Sequence, residues 1–168
     1  KFVELLLCQN LSSLKLGIHP TLERICVEDC NLSNLDLSGC SGLEDFRGAN
    51  NRYTSINWGT IGAKMWHLCT RNNSQFTVNL PGFAQFPLLT ELLIWYSNQG
   101  GVFECHSSVI QRIDAYDNHS SSADISGCTA LINFSLSGSK LVSLNLGTAN
   151  HLTVVELKDC DLSESLTD

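Results

Sequence analysis

Apolar residues recur along this chain in columns, and the pattern repeats about every 21 residues. In the phase that aligns the similar stretches, residues 1–168 divide into eight repeats of 20 to 24 residues. Their first positions are all apolar: Phe2, Leu22, Leu43, Met65, Leu89, Ile110, Leu131 and Leu152. The third residue after each start is also apolar in every repeat, and the fifth is apolar in six of the eight. Such alternation predicts a short strand whose alternate side chains point inward. The repetition predicts one solenoid domain in which these strands stack as a parallel sheet.

A polar residue follows eight places after each repeat start, where the chain must turn sharply and leaves backbone groups without partners. Asparagine has four hydrogen-bonding sites that can pair with such groups, and Cys and Ser are weaker substitutes of similar size. We therefore predict a buried structural ladder. Its members are Asn10, Cys30, Asn51, Asn73, Asn118, Ser139 and Cys160. In the fifth repeat the position falls on Ser97, or on Asn98 if the register is shifted by one residue.

The second half of most repeats carries another pair of apolar residues around a polar one, as in Leu35-Asp36-Leu37 and Leu144-Asn145-Leu146. This half is too short for a stable α-helix once its turns are made. It predicts a second extended segment on the opposite face, with Asp and Asn in an outward, solvated stripe. The predicted fold class is a leucine-rich-repeat solenoid: a parallel β-sheet on one face, short extended segments or loops on the other, and little or no α-helix.

The segments Leu32-Ser-Asn-Leu-Asp-Leu-Ser-Gly-Cys40 and Ile125-Ser-Gly-Cys128-Thr-Ala-Leu131 resemble the 21-residue leucine-rich repeats of bacterial proteins. Such repeats occur in BspA-like surface proteins of gut bacteria and in related phage proteins. The resemblance covers nearly the whole chain and implies recognition or adhesion at a bacterial cell surface or on a virion. The chain departs from the pattern between Gly59 and Cys105, where the repeats lengthen and their register stays open.

Composition narrows the function classes. With 43% apolar and 16% charged residues, the 168-residue chain is expected to fold, and its net charge of −7 argues against a nucleic-acid partner. The longest apolar run has five residues, so membrane insertion is not expected. The chain begins at Lys1 without a signal peptide, so we expect a fragment of a longer protein whose flanking domains are further partners.

The residues with reactive side chains predict neither an enzyme nor a metal or cofactor site. The eight cysteines include no C-x-x-C pair, and their columns favour small, buried, free thiols over disulfides. No histidine lies in a known catalytic motif, and no phosphate-binding glycine loop is present. His67 and Cys69 share one face of a predicted strand, but the sequence indicates no third group to orient the histidine.

The outward positions of the first strands predict a basic and aromatic patch on successive turns of the solenoid, which we call rungs. Its members are Arg47, His67, Arg71, Trp95, Tyr96, Arg112 and Tyr116. Arg, Trp and Tyr are enriched in interface hot spots, so this patch is the predicted binding site for a protein or glycan on a host or neighbouring cell. Two alternatives stay open. A one-residue slip in the fifth repeat would turn Trp95 into the core. The second alternative is that the solenoid binds no ligand of its own and is a spacer or assembly domain of a longer protein.

Overall fold

The computed structural model describes residues 1–76, 83–97, 101–138 and 141–160. The chain is a parallel β-solenoid of about seven turns with almost no helix. Eight strands form one long parallel sheet: β1 (Phe2–Leu6), β2 (Arg24–Glu28), β4 (Asp45–Arg47), β6 (His67–Cys69), β7 (Glu91–Leu93), β9 (Arg112–Asp114), β11 (Asn133–Ser135) and β13 (Val154–Glu156). A 3-10 turn covers Phe83–Gln85.

The opposite wall holds the remaining strands. β3 (Asn34–Asp36) pairs with β5 (Ser55–Asn57), and β10 (Ser120–Asp124) lies between β8 (Gly101–Glu104) and β12 (Ser143–Asn145). All of these pairs are parallel. The second extended segment predicted for the repeats is therefore a true strand in these five repeats.

The core lies between the two walls. Inward side chains of the long sheet, such as Ile25, Phe46 and Leu68, are fully buried. They meet Leu37 and Trp58 from the opposite wall, and the edge of Trp58 packs against Phe46 with ring centroids 5.6 Å apart. The structure thus has one continuous apolar core, as the alternating pattern predicts.

The first rung differs in register from the predicted phase. Val3 pairs with Ile25, and Leu5 pairs with Val27, whereas the predicted starts set Leu5 beside Ile25. Asn10 is consequently exposed and lies outside the ladder, so its assignment is corrected. Cys8 takes the ladder position beside Cys30. The phase was ambiguous because residues 5–7 are all leucine, and two frames place apolar residues inward equally well.

The residue just before each ladder position adopts a left-handed backbone conformation. These residues are Leu7, Asp29, Asn50, Asn72, Tyr96, Asp117 and Asp159, with φ between 54° and 58°, and Gly138 with φ 72°. A non-glycine residue in this region costs about 1–3 kcal/mol, and Asn and Asp tolerate it best. The conformation recurs because it closes the sharp turn that follows each strand of the long sheet.

Buried ladder side chains bond the backbone groups that these turns leave unpaired. Asn51 Nδ2 donates to Val27 O at 2.6 Å and Ala49 O at 3.0 Å, and its Oδ1 accepts from the amide of Leu32 at 3.1 Å. Asn73 makes the equivalent bonds, whereas Asn118 Nδ2 donates to Ala115 O and its Oδ1 accepts from the amide of Ser97. The thiols of Cys30 and Cys160 donate longer bonds to carbonyls of their own and the preceding rung. Ser97 occupies the column in the fifth repeat, while Asn98 and Ser139 lie outside the described residues.

The polar stripe of the opposite wall also closes turns, which the sequence interpretation as simple solvation missed. Asp36 Oδ1 accepts from the amide of Ser38 at 2.9 Å, and Asn145 Oδ1 accepts from the amide of Gly147 at 3.1 Å. Side chains that bond the backbone two residues on form local turns of this kind. Gly39 follows directly, where a Cβ would lie 2.2 Å from Gly17 O of the preceding rung. The stripe and its glycine therefore set how closely successive rungs pack.

The eight cysteines all lie in the described part of the chain, and no disulfide joins any two of them. The described residues contain no helix that is long and apolar enough to cross a membrane.

Candidate binding surface on the long parallel sheet

Outward side chains of the long sheet form three columns that run along the solenoid. The first contains Phe2, Arg24, Asp45, His67, Glu91, Arg112, Asn133 and Val154. The second contains Glu4, Cys26, Arg47, Cys69, Leu93, Asp114, Ser135 and Glu156. The third lies just past most strand ends and contains Leu6, Glu28, Ala49, Arg71, Trp95, Tyr116, Ser137 and Lys158. Six of the seven predicted patch residues lie in these columns, and Tyr96 lies in the turn beside the third.

The charged side chains of the first two columns pair with one another. Asp45 is buried and its carboxylate contacts Arg24 Nε at 2.9 Å, Arg47 Nε at 3.1 Å and His67 Nδ1 at 2.8 Å. His67 Nε2 lies 3.8 Å from a carboxylate oxygen of Glu91. Basic and acidic side chains thus alternate from rung to rung in the first column, from Arg24 to Arg112.

Asp45 stays ionised in this chain of charges. Burial alone would raise its pKa, but the hydrogen bond from Arg47, the contact with His67 and the charge of Arg47 hold the pKa below the ordinary aspartate value. Arg112 is paired in the same way, with its guanidinium 2.6 Å from the carboxylate of Asp114. Two of the three arginines of the predicted basic patch, Arg47 and Arg112, therefore pair with carboxylates two residues away in the same strand.

A second group of side chains forms what we call the aromatic strip: Arg71, Trp95, Tyr96 and Tyr116. The rings of Trp95 and Tyr116 stack with centroids 4.9 Å apart and planes 16° from parallel. The guanidinium carbon of Arg71 lies 5.2 Å from the centroid of Trp95. Tyr96 packs edge-on against both rings, at 5.5 Å from Trp95 and 5.9 Å from Tyr116. Neighbouring strands are about 4.7–4.9 Å apart, so the stack follows the repeat of the solenoid itself.

The fifth repeat keeps the register that points Trp95 outward. Leu92 and Ile94 are buried in the core, while Trp95 is half-buried and Tyr96 is 48% exposed. The slipped alternative is therefore wrong. The structure also separates the predicted patch into two parts, because Arg47, His67 and Arg112 belong to the charge network and not to the strip.

Sequence reasoning missed the acidic members of this surface. Asp45 and Asp114 lie in the same outward columns as Arg47, His67 and Arg112, but the predicted patch includes only basic and aromatic residues. The signal was present in the sequence, since the first column in the assigned phase reads Arg24, Asp45, His67, Glu91, Arg112. Alternating charge at one repeat spacing predicts pairing between rungs.

The geometry around His67 and Cys69 gives little support to nucleophilic catalysis. Asp45 does supply the third group that the sequence lacked, through its contact with His67 Nδ1. Burial, however, raises the pKa of the Cys69 thiol, which disfavours the reactive thiolate. In the described part of the chain no hydrogen bond joins Cys69 to His67, and no cluster of three or more His, Cys, Asp or Glu side chains is placed to hold a metal ion.

Comparison of the chain with protein-family models and with curated proteins gives no match.

Proposed function

We propose that this chain is a leucine-rich-repeat solenoid that serves as a non-enzymatic recognition module and binds a protein or glycan through its long sheet. The observation that carries the proposal is the aromatic strip. Trp, Tyr and Arg are the residue types most enriched in binding hot spots, and here they lie together on an outward face.

The strip is held rigidly before any ligand arrives. Trp95 is packed between Arg71 and Tyr116, and Tyr96 braces both rings from the side. A partner would therefore lose little side-chain freedom on binding, because the rings are already ordered. Preorganised, half-exposed aromatic side chains on a flat sheet suit a recognition surface better than a core role.

The remaining features of the proposal rest on the resemblance of the repeats. It supports a site of action at a bacterial cell surface or on a virion, with the solenoid attached to flanking domains. The raised thiol pKa of Cys69 is in keeping with a module that has no catalytic nucleophile.

The test is binding of the purified chain to a glycan array and to immobilised extracts of host cell-surface proteins. We expect Trp95→Ala to weaken any hit at least tenfold, with an unchanged circular dichroism spectrum. Trp66→Ala is the matched control, because Trp66 is a 38% exposed tryptophan outside the strip. Equal binding by Trp95→Ala and the wild type would refute the strip as the binding site.

A structural role without a ligand is the second candidate. The two edge strands of the long sheet expose apolar side chains, among them Phe2 at 70% and Val155 at 43%. Such edges can pair with other chains and produce end-to-end assembly. Concentration-dependent sedimentation, together with no hits in either binding screen, would favour an assembly or spacer domain over a recognition module.

A further inference from the structure

The aromatic strip has one closed end and one open end. Trp95 is covered on the side of the preceding rung by Arg71 and on the side of the following rung by Tyr116. Tyr116 has Trp95 on one ring face only. Its second face points toward the next rung, where Ser137 holds the same column, and no described aromatic or cationic side chain stacks there.

Ser137 leaves this space open because its side chain is short and is engaged with the backbone. Its hydroxyl donates to Glu156 O at 3.1 Å and accepts from the amide of Lys158 at 3.0 Å. Lys158 is the next residue in the column, two rungs from Tyr116, and its side chain is exposed. The column therefore has only a short side chain between Tyr116 and Lys158, and we call the space above Ser137 the gap.

Three carboxylates lie around the gap. Asp114 and Glu156 lie in the neighbouring column, and Asp117 follows Tyr116 in the turn. Arg112 pairs with Asp114, Lys158 lies beyond Ser137 in the column, and Arg71 lies at the closed end of the strip. Partial burial raises the pKa of Tyr116 most, the charges of Asp114 and Asp117 add to this increase, and the charge of Arg71 opposes it.

The closed end of the strip shows which chemistry suits such a face. There a guanidinium lies over the indole ring of Trp95 at 5.2 Å. A cation over an aromatic ring is attracted by the negative ring face, and arginine adds planar stacking to this attraction. We propose that the open face of Tyr116, above Ser137, is a subsite for an arginine side chain from a basic segment of a partner protein. This inference rests on the proposed function and selects a protein with exposed arginine from its two ligand classes.

The carboxylates separate this partner from the alternatives. An acidic peptide or acidic sugar would meet the charges of Asp117 and Glu156, while a guanidinium is attracted to both. A neutral sugar could stack on Tyr116 but would gain nothing from those charges. Lys158 acts in the opposite direction, since its ammonium repels a cation and attracts an anion.

The experiment uses the full chain and a capped tetra-arginine peptide, with a capped tetra-citrulline peptide as the uncharged control of similar shape. Binding is followed by amide chemical shifts in NMR titrations at low salt, where we expect the Ser137 and Gly138 amides to move. Tyr116→Leu should lower the affinity for the arginine peptide about fivefold. Tyr116→Phe should change this affinity by no more than about twofold because it keeps the ring. Lys158→Gln should tighten arginine binding, and the citrulline peptide should bind weakly to every variant.

Glu104→Gln is the matched charge control, because Glu104 is exposed on β8 in the opposite wall. It should leave the affinity nearly unchanged. Equal affinity of Tyr116→Leu and the wild type, or equal losses in Tyr116→Leu and Glu104→Gln, would overturn the subsite and indicate diffuse charge attraction. Tighter binding of a capped tetra-glutamate peptide or of an uncharged oligosaccharide at Ser137 would also overturn it. These outcomes leave the recognition function to be judged separately, through Trp95→Ala and whatever ligand the screens identify.

Discussion

Replacing Asn51 with alanine should destabilise the solenoid far more than the loss of one polar side chain suggests. Asn51 is 7% exposed, and its side chain connects its own rung to the preceding one, both as a hydrogen-bond donor and as an acceptor. Its Nδ2 donates to Val27 O at 2.6 Å, and its Oδ1 accepts from the Leu32 amide at 3.1 Å. The variant removes both partners' bonds while the surrounding backbone stays buried.

The magnitude follows from the groups left behind. A buried backbone group that loses its partner costs about 1–3 kcal/mol, and Asn51 serves two such groups on the preceding rung. A third bond, to Ala49 O, is less critical because that carbonyl also accepts from the amide of Asp29. We therefore expect the free energy of unfolding to fall by about 2–5 kcal/mol.

Urea unfolding followed by circular dichroism measures this change. Asn133→Ala is the matched control: Asn133 is half-exposed on the outward face of β11, and its side chain makes no hydrogen bond to the described residues. Its effect should stay within about 0.5 kcal/mol. Equal and small losses in the two variants would refute the structural role of the ladder.

Asn51→Asp separates hydrogen bonding from packing, because the two side chains have nearly the same shape. An ionised aspartate cannot donate to Val27 O, so the variant should be at least as unstable as Asn51→Ala at neutral pH. Protonation restores a donor, and the free energy of unfolding of the aspartate variant should therefore rise relative to that of Asn51→Ala as the pH is lowered. A neutral-pH stability equal to that of the wild type would contradict the assigned bonds.

Two further predictions concern buried groups. The Tyr53 hydroxyl is fully buried and has no hydrogen-bond partner among the described residues. Tyr53→Phe should therefore raise the free energy of unfolding, measured by urea denaturation, by about 1 kcal/mol. A clear loss of stability would show that the hydroxyl is paired. Asp45 has a lowered folded-state pKa, so its contribution is complete above the unfolded-state value of about 3.9 and is lost as the pH falls through the folded-state value. The stability difference between wild type and Asp45→Asn should accordingly shrink below about pH 4 in a pH series of urea unfolding curves, and a difference that does not change with pH would argue against the charge network.

The columns of the long sheet were predictable because a solenoid repeats one environment. Each inward position meets the same kind of neighbour on every rung, so a 21-residue period in apolar residues already implies strands, a sheet and a core. The buried positions of Asn51, Asn73 and Asn118 followed from the same reasoning. The register of the first rung could not be predicted in this way, because three consecutive leucines fit two registers. Only the backbone pairing of the structure places Cys8 beside Cys30.

The surface needed the tertiary structure, because outward positions have no common environment to impose a pattern. The sequence could list Arg47, His67 and Arg112 as a basic patch, but only the structure shows their partners. Arg47 and Arg112 pair with carboxylates two residues away in their own strands, and Asp45 also contacts His67 of the next rung. The sequence could likewise name Trp95 and Tyr116 without showing that their rings stack in parallel and leave one face open. By itself the sequence determined the repeat, the walls and the core, since burial acts on every rung alike. Only the packed structure decided that Trp95 stacks on Tyr116 and that Asp45 contacts His67, since these contacts join side chains about 20 residues apart in the chain.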